Sequence, residues 1–134
     1  MAKSLKINHV TVLVSDKERA EKFYTEVLGL EKFEVGKSLW IKIGDQNQFI
    51  HITDNSGEPK PNTFYHFAIE FDDFKNFIKS VIDKGVDVFD LGKERNKHSV
   101  NTNLDNQGRQ FFVLDYDGNM IELVSAGEKF FNPQ

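Results

Sequence analysis

With 134 residues, 39% of them hydrophobic and thirteen of them Phe, the chain holds enough apolar material for one core, and a single domain over 1–134 is expected. Its 17 basic and 21 acidic side chains give a formal net charge of −4 with no basic run, which speaks against nucleic acid and for a small-molecule partner. The absence of cysteine excludes disulfides, thiolate metal sites and a cysteine nucleophile, and leaves nitrogen and oxygen as the donors for any metal.

Met1-Ala2-Lys3-Ser4-Leu5-Lys6 leads into the first strand with no apolar signal region, and no stretch is long enough to span a bilayer. A cytoplasmic location without a membrane partner is the expectation. In Ile7-Asn8-His9-Val10-Thr11-Val12-Leu13-Val14, strand alternation sends Val10, Val12 and Val14 to one face and His9, Thr11 and Leu13 to the other. Ser15-Asp16-Lys17-Glu18 then carries a helix-capping pattern, and Ala20, Phe23, Tyr24, Val27 and Leu28 form an apolar stripe at helical spacing before Gly29. The helix is placed at about 17–28. Strands follow at about 30–35, 38–43 and 48–53, separated by Gly36-Lys37 and Gly44-Asp45-Gln46-Asn47.

The polar stretch 54–62, rich in Gly and Pro, reads as a linker, after which the unit begins again. Phe64-Tyr65-His66-Phe67-Ala68-Ile69-Glu70-Phe71 repeats the first strand, with Phe67, Ile69 and Phe71 facing a core and His66, Ala68 and Glu70 opposite. Asp72 or Asp73 caps a helix whose stripe is Phe74, Phe77, Ile78, Val81 and Ile82 and whose stop is Gly85. Strands are expected near 86–90, 109–115 and 119–125, the last two joined at Asp117-Gly118. Between them, 91–108 is polar, lacks periodicity and reads as a binding loop. The organisation is α+β: two tandem βαβββ modules, at about 5–54 and 64–126, joined by a linker at about 55–63 and followed by a short tail.

The repeat aligns the ends of the modules too, so that His51 in Phe49-Ile50-His51-Ile52 corresponds to Glu122 in Met120-Ile121-Glu122-Leu123. His9, His66, His51 and Glu122 thus occupy equivalent strand positions on the faces opposite the core. One histidine in a strand is ordinarily structural. Three of the chain's four histidines and a glutamate inside an apolar strand, at repeat-related positions, instead point to a divalent transition metal (Zn, Ni, Mn, Co or Fe) with open coordination positions.

Asn8-His9-Val10, Phe23-Tyr24-Thr25-Glu26-Val27-Leu28-Gly29-Leu30, Tyr65-His66-Phe67-Ala68 and Asp115-Tyr116-Asp117-Gly118-Asn119-Met120-Ile121-Glu122-Leu123 together resemble the vicinal oxygen chelate superfamily. Glyoxalase I, methylmalonyl-CoA epimerase, extradiol dioxygenases, fosfomycin-resistance enzymes and bleomycin-resistance proteins belong to it. The resemblance covers nearly the whole chain. It implies curled mixed sheets forming a cleft and a metal held by His9, His66 and Glu122. His51 falls where glyoxalase-like members place a Glu or Gln ligand. It also implies a homodimer and a metal-dependent lyase or isomerase acting on a small oxygen-rich molecule, with Glu122 as ligand and base.

Two alternatives stand beside that reading: an extradiol-type dioxygenase or fosfomycin-resistance-like transferase, and a non-catalytic antibiotic binder. The region after Glu122 carries only Lys129 as a basic residue, which ranks the fosfomycin subgroup lower. Arg95, Lys97, His98 and Arg109 are candidates for holding an anionic substrate group, although solvated loop charges are the commoner role of such residues. Trp40, Phe49, Tyr65, Phe111 and Phe112 are candidates for an aromatic pocket. In so Phe-rich a chain, core packing is the favoured role for each of them.

Overall fold

A computed structural model describes residues 2–54, 65–91, 97–100 and 111–126, with His98 described by its backbone only. The expected linker, most of the polar loop and the expected tail therefore lie outside the described residues. The chain divides into two compact units, Met1–Pro61 and Asn62–Gln134, each carrying one copy of the repeat.

In the first unit, β1 (His9–Leu13) leads to α1 (Lys17–Lys22), a π-helical turn (Phe23–Val27), and strands β2 (Glu31–Val35), β3 (Ser38–Ile43) and β4 (Gln48–Thr53). The strands form a sheet in the order β1-β4-β3-β2, with β1 parallel to β4 and the other pairs antiparallel. Asp16 starts the helix by accepting from the Glu18 and Arg19 N–H groups, which otherwise lack a partner in the first turn. The expected helix continues to Val27, but its second half widens to π geometry, with Leu28 N–H donating to Phe23 C=O. Adjacent Phe23 and Tyr24 are both fully buried there, their rings edge to face at 5.3 Å. Alternation then sets the sheet: Val12, Leu39, Ile41, Ile50 and Ile52 are buried on the helix side.

In the second unit, β5 (His66–Phe71) precedes α2 (Phe74–Asp83), β6 (Phe89–Asp90), β7 (His98–Ser99), β8 (Phe111–Leu114) and β9 (Met120–Ser125). Their order is β5-β9-β8-β6-β7, again with the first pair parallel. Ile69, Ile78, Val81, Val113, Ile121 and Leu123 are buried in its core. Asp73 does sit at the helix N-cap position. It adopts φ 45°, however, and its carboxylate accepts from the Asn76 side-chain amide rather than from a helix N–H. The expected backbone cap is thereby corrected.

The structure also adds a strand. β7 pairs with β6 inside the stretch read as a loop, and Val100 N–H donates to Val88 C=O at 2.7 Å. Two residues are too few for a periodicity to register, so only tertiary pairing reveals it. Each unit otherwise has the expected βαβββ order, and no described helix is long and apolar enough to cross a membrane.

Candidate metal and ligand site

The two units place their polar pairs by the same register. Thr11 faces His51 across β1 and β4 as Ala68 faces Glu122 across β5 and β9, and His9 and His66 each stand two residues earlier. A side chain two residues off the direct partner is a diagonal neighbour, within reach of a long residue.

In the second unit that diagonal is closed. His66 Nε2 lies 3.0 Å from Glu122 Oε1, and the side chains are 22% and 11% exposed. Glu122 is therefore a largely buried carboxylate in the middle of an apolar strand, flanked by Ile121 and Leu123. Phe112 faces Glu122 across the sheet, is fully buried, and sets its ring edge to face against His66 at 5.4 Å; Phe89, Leu91 and Met120 pack around it. A polar oxygen buried in such surroundings needs a hydrogen-bond partner, and His66 stands at that distance from Oε1. Glu122 Oε2 has no partner among the described residues.

In the first unit the rings stay apart. His9 Nδ1 is 2.8 Å from Asn8 Oδ1, an acceptor, so a proton on Nδ1 donates to it and the contact fixes the ring with Nε2 on its far side. That arrangement orients a histidine for metal ligation. His51 stacks on Trp40 at 4.4 Å and 17°, lies 6.4 Å from the His9 ring, and makes no hydrogen bond among the described residues.

The donors suit a divalent transition metal in kind, being imidazole nitrogen and carboxylate oxygen in a chain without thiolates. Two ligands about 2.1 Å from an ion and about a right angle apart stand about 3 Å from one another. The His66 and Glu122 donor atoms have that separation. They fit as two ligands. Among the described residues, no group of three or more His, Asp or Glu is placed to hold an ion.

Several expectations change at the residue level. Trp40 and Phe49 are not core residues: they are half-buried on the open face with the histidines, Phe49 near Phe33 at 5.4 Å and Trp40 at 6.1 Å. Their alternation with Leu39, Ile41 and Ile50 carried that signal. Phe111 does pack in the core, against Phe74, and Tyr65 is 88% exposed. Lys97 is tied into the second sheet, 2.8 Å from Asp87 and above the Phe89 ring. Arg95 and Arg109 lie outside the described residues, as does the side chain of His98.

Sequence reasoning missed Asp115. Its buried carboxylate accepts from the N–H groups of Asp117 and Asn119 and from the Asn119 side-chain amide, all at 2.9 Å. These bonds clamp the β8–β9 turn, where Gly118 takes φ 84°, and so set where β9 and Glu122 begin. An Asp two residues ahead of Asp117-Gly118 is the sequence signal for such a turn.

The chain belongs to the Glyoxalase/Bleomycin resistance protein/Dioxygenase superfamily, whose family model matches residues 6–123. Among solved structures, it is similar to a glyoxalase-family protein from Bacillus anthracis at 26% identity, with 93% of this chain and 98% of that one covered and a TM-score of 0.70. TnmS3, an antibiotic-binding protein from a Streptomyces species, is 25% identical, with 93% and 98% covered and a TM-score of 0.68. The oxidase ChaP-H1 is 25% identical, with 91% and 96% covered and a TM-score of 0.69. No curated protein matches significantly.

Proposed function

We propose that the chain is a metal-dependent lyase or isomerase of the glyoxalase kind, acting in the cytoplasm on a small oxygen-rich molecule. The observation that carries this reading is the His66–Glu122 pair, a buried carboxylate held 3.0 Å from an imidazole in an apolar surround. His66 and Glu122 would hold the ion, and His9 is the further donor that the family resemblance implies. The chemistry such a divalent ion would supply there, when bound, is positive charge beside a substrate oxygen that gains electron density. Glu122 Oε2 takes the proton from the carbon next to a substrate carbonyl and returns it, while Phe112 and Phe89 exclude water from that carboxylate. His51, stacked on Trp40, is an orienting group rather than an essential ligand.

A second reading, a non-catalytic small-molecule binder, is supported by the open ring-bearing face of the first unit and by the likeness to TnmS3. Metal-loaded protein assayed with 2-oxoaldehyde thiol adducts, epimerisable acyl thioesters and catechols separates the two. Turnover that disappears on chelation supports the enzyme. Saturable binding of a small molecule without turnover or metal uptake supports the binder.

A further inference from the structure

We propose that the ring-bearing face of the first unit takes a flat aromatic molecule carrying an anionic oxygen group, with the ring on Trp40 and Phe49 and the charge at Lys42. This deepens the proposed function by naming a substrate class. It rests on that reading only in treating the bound molecule as a substrate.

All the rings of this sheet stand on the face opposite the core. Phe33, Trp40, His51 and Thr11 form one cross-strand row, and Glu31, Lys42, Phe49 and His9 form the next. The rings meet at right angles or stacked: His9 against Trp40 at 4.9 Å and 76°, Phe49 against Trp40 at 6.1 Å and 86°, and His51 on Trp40 at 4.4 Å and 17°. Phe33 is 45% exposed and Val35 54% exposed on the same face. Rings half-buried on this face instead of fully buried in the core forfeit part of the burial that a flat ligand restores, through offset or edge-to-face contact.

Charge narrows the ligand. Lys42 stands between Glu31 and Phe49 in the register and forms no ion pair with Glu31 or any other carboxylate among the described residues, whereas Lys32 on the edge strand is taken up by Glu21 and Glu34. His51, with no hydrogen bond of its own there, offers a second polar contact at the ring edge. A neutral hydrocarbon would leave both groups unused; an aromatic carboxylate or phenolate satisfies both.

The test is calorimetry and ligand-proton saturation transfer on the full chain, freed of metal with a chelator. The probes are 2-naphthoate, 2-naphthalenemethanol and cyclohexanecarboxylate. Saturable binding of 2-naphthoate is expected, with cyclohexanecarboxylate weaker. Trp40→Leu should weaken 2-naphthoate by about three- to tenfold, the worth of one aromatic contact. Lys42→Gln, a surface change that leaves the core alone, should weaken it by about two- to fivefold and leave 2-naphthalenemethanol unchanged. Because the chain is tested free of metal, binding of 2-naphthoate is read separately from metal-dependent turnover: failure of turnover leaves this result standing, and failure of this binding leaves the metal reading standing. The proposal is overturned if no naphthalene probe binds saturably, if Lys42→Gln affects the acid and the alcohol equally, or if cyclohexanecarboxylate binds as tightly as 2-naphthoate. It is equally overturned if Trp40→Leu alters sedimentation while no probe binds, since a second copy would then cover the face.

Discussion

In the function proposed, metal binding and proton transfer both turn on Glu122, which combines burial, an imidazole at hydrogen-bond distance and an oxygen without a partner among the described residues. Glu122→Gln keeps an oxygen donor but loses the charge and the basic atom. Turnover should fall by about 10²- to 10⁴-fold, the usual cost of losing a general base, while part of the metal affinity remains. His9→Ala and His66→Ala remove a nitrogen donor outright, so they should lose metal first; His51→Gln should change metal content little. Metal content and turnover of the four variants check this, and loss of metal in His51→Gln alone would contradict it. Asp115 supports Glu122 from the turn. Asp115→Ala removes the three part-buried hydrogen bonds described above and should destabilise the fold by about 2–3 kcal/mol, whereas Asp115→Asn, which can still accept from both backbone N–H groups, should cost about half as much. Urea midpoints measure both.

At the scale of elements, alternation was legible wherever one face is aliphatic: Val12, Ile50, Ile52, Ile69 and Ile121 are all buried as their strands require. The π-helical turn was not, because Ala20, Phe23, Tyr24, Val27 and Leu28 give the same stripe for α and π geometry over so short a span. Trp40 and Phe49 lie on the open face because strand alternation with Leu39, Ile41 and Ile50 puts them there, which Phe-rich composition alone does not reveal. β6 and β7 are two residues each and depend on tertiary ties, among them Asp87 accepting from Lys97 and from the Ser99 hydroxyl. Lys97, the leading cause, and Ser99 hold the Asp87 carboxyl below its ordinary range, against a smaller opposing effect of burial. A lowered folded-state value means that the contribution is present above the ordinary carboxylate range and is lost as pH falls through the folded-state value. Both side chains are about half exposed, so the effect is small and weakened by salt. Lys97→Gln should therefore be less stable than the parent near neutral pH and converge on it in acid. A stability difference that stays constant with pH would count against this tie.

For the whole molecule, the duplication is the organising fact: one βαβββ plan, written twice, puts His9 with His51 and His66 with Glu122 at matching registers in two sheets. That much was readable from the repeat; the stacking of His51 on Trp40 and the Asp115 clamp depend on side-chain packing that no spacing encodes. The exposed edge strand β2, with Phe33 and Val35 in solvent, is an open pairing edge of the kind that association covers. A homodimer is the expected outcome in sedimentation at micromolar concentration, and a monomer there would contradict it. The most direct measurement is elemental analysis of the purified chain after dialysis against each of Zn, Ni, Co, Mn and Fe, beside Glu122→Gln and His66→Ala. The account predicts about one ion per chain for at least one metal, reduced in Glu122→Gln and lost in His66→Ala. Protein that takes up none of them, or that binds metal equally well without His66, would contradict it.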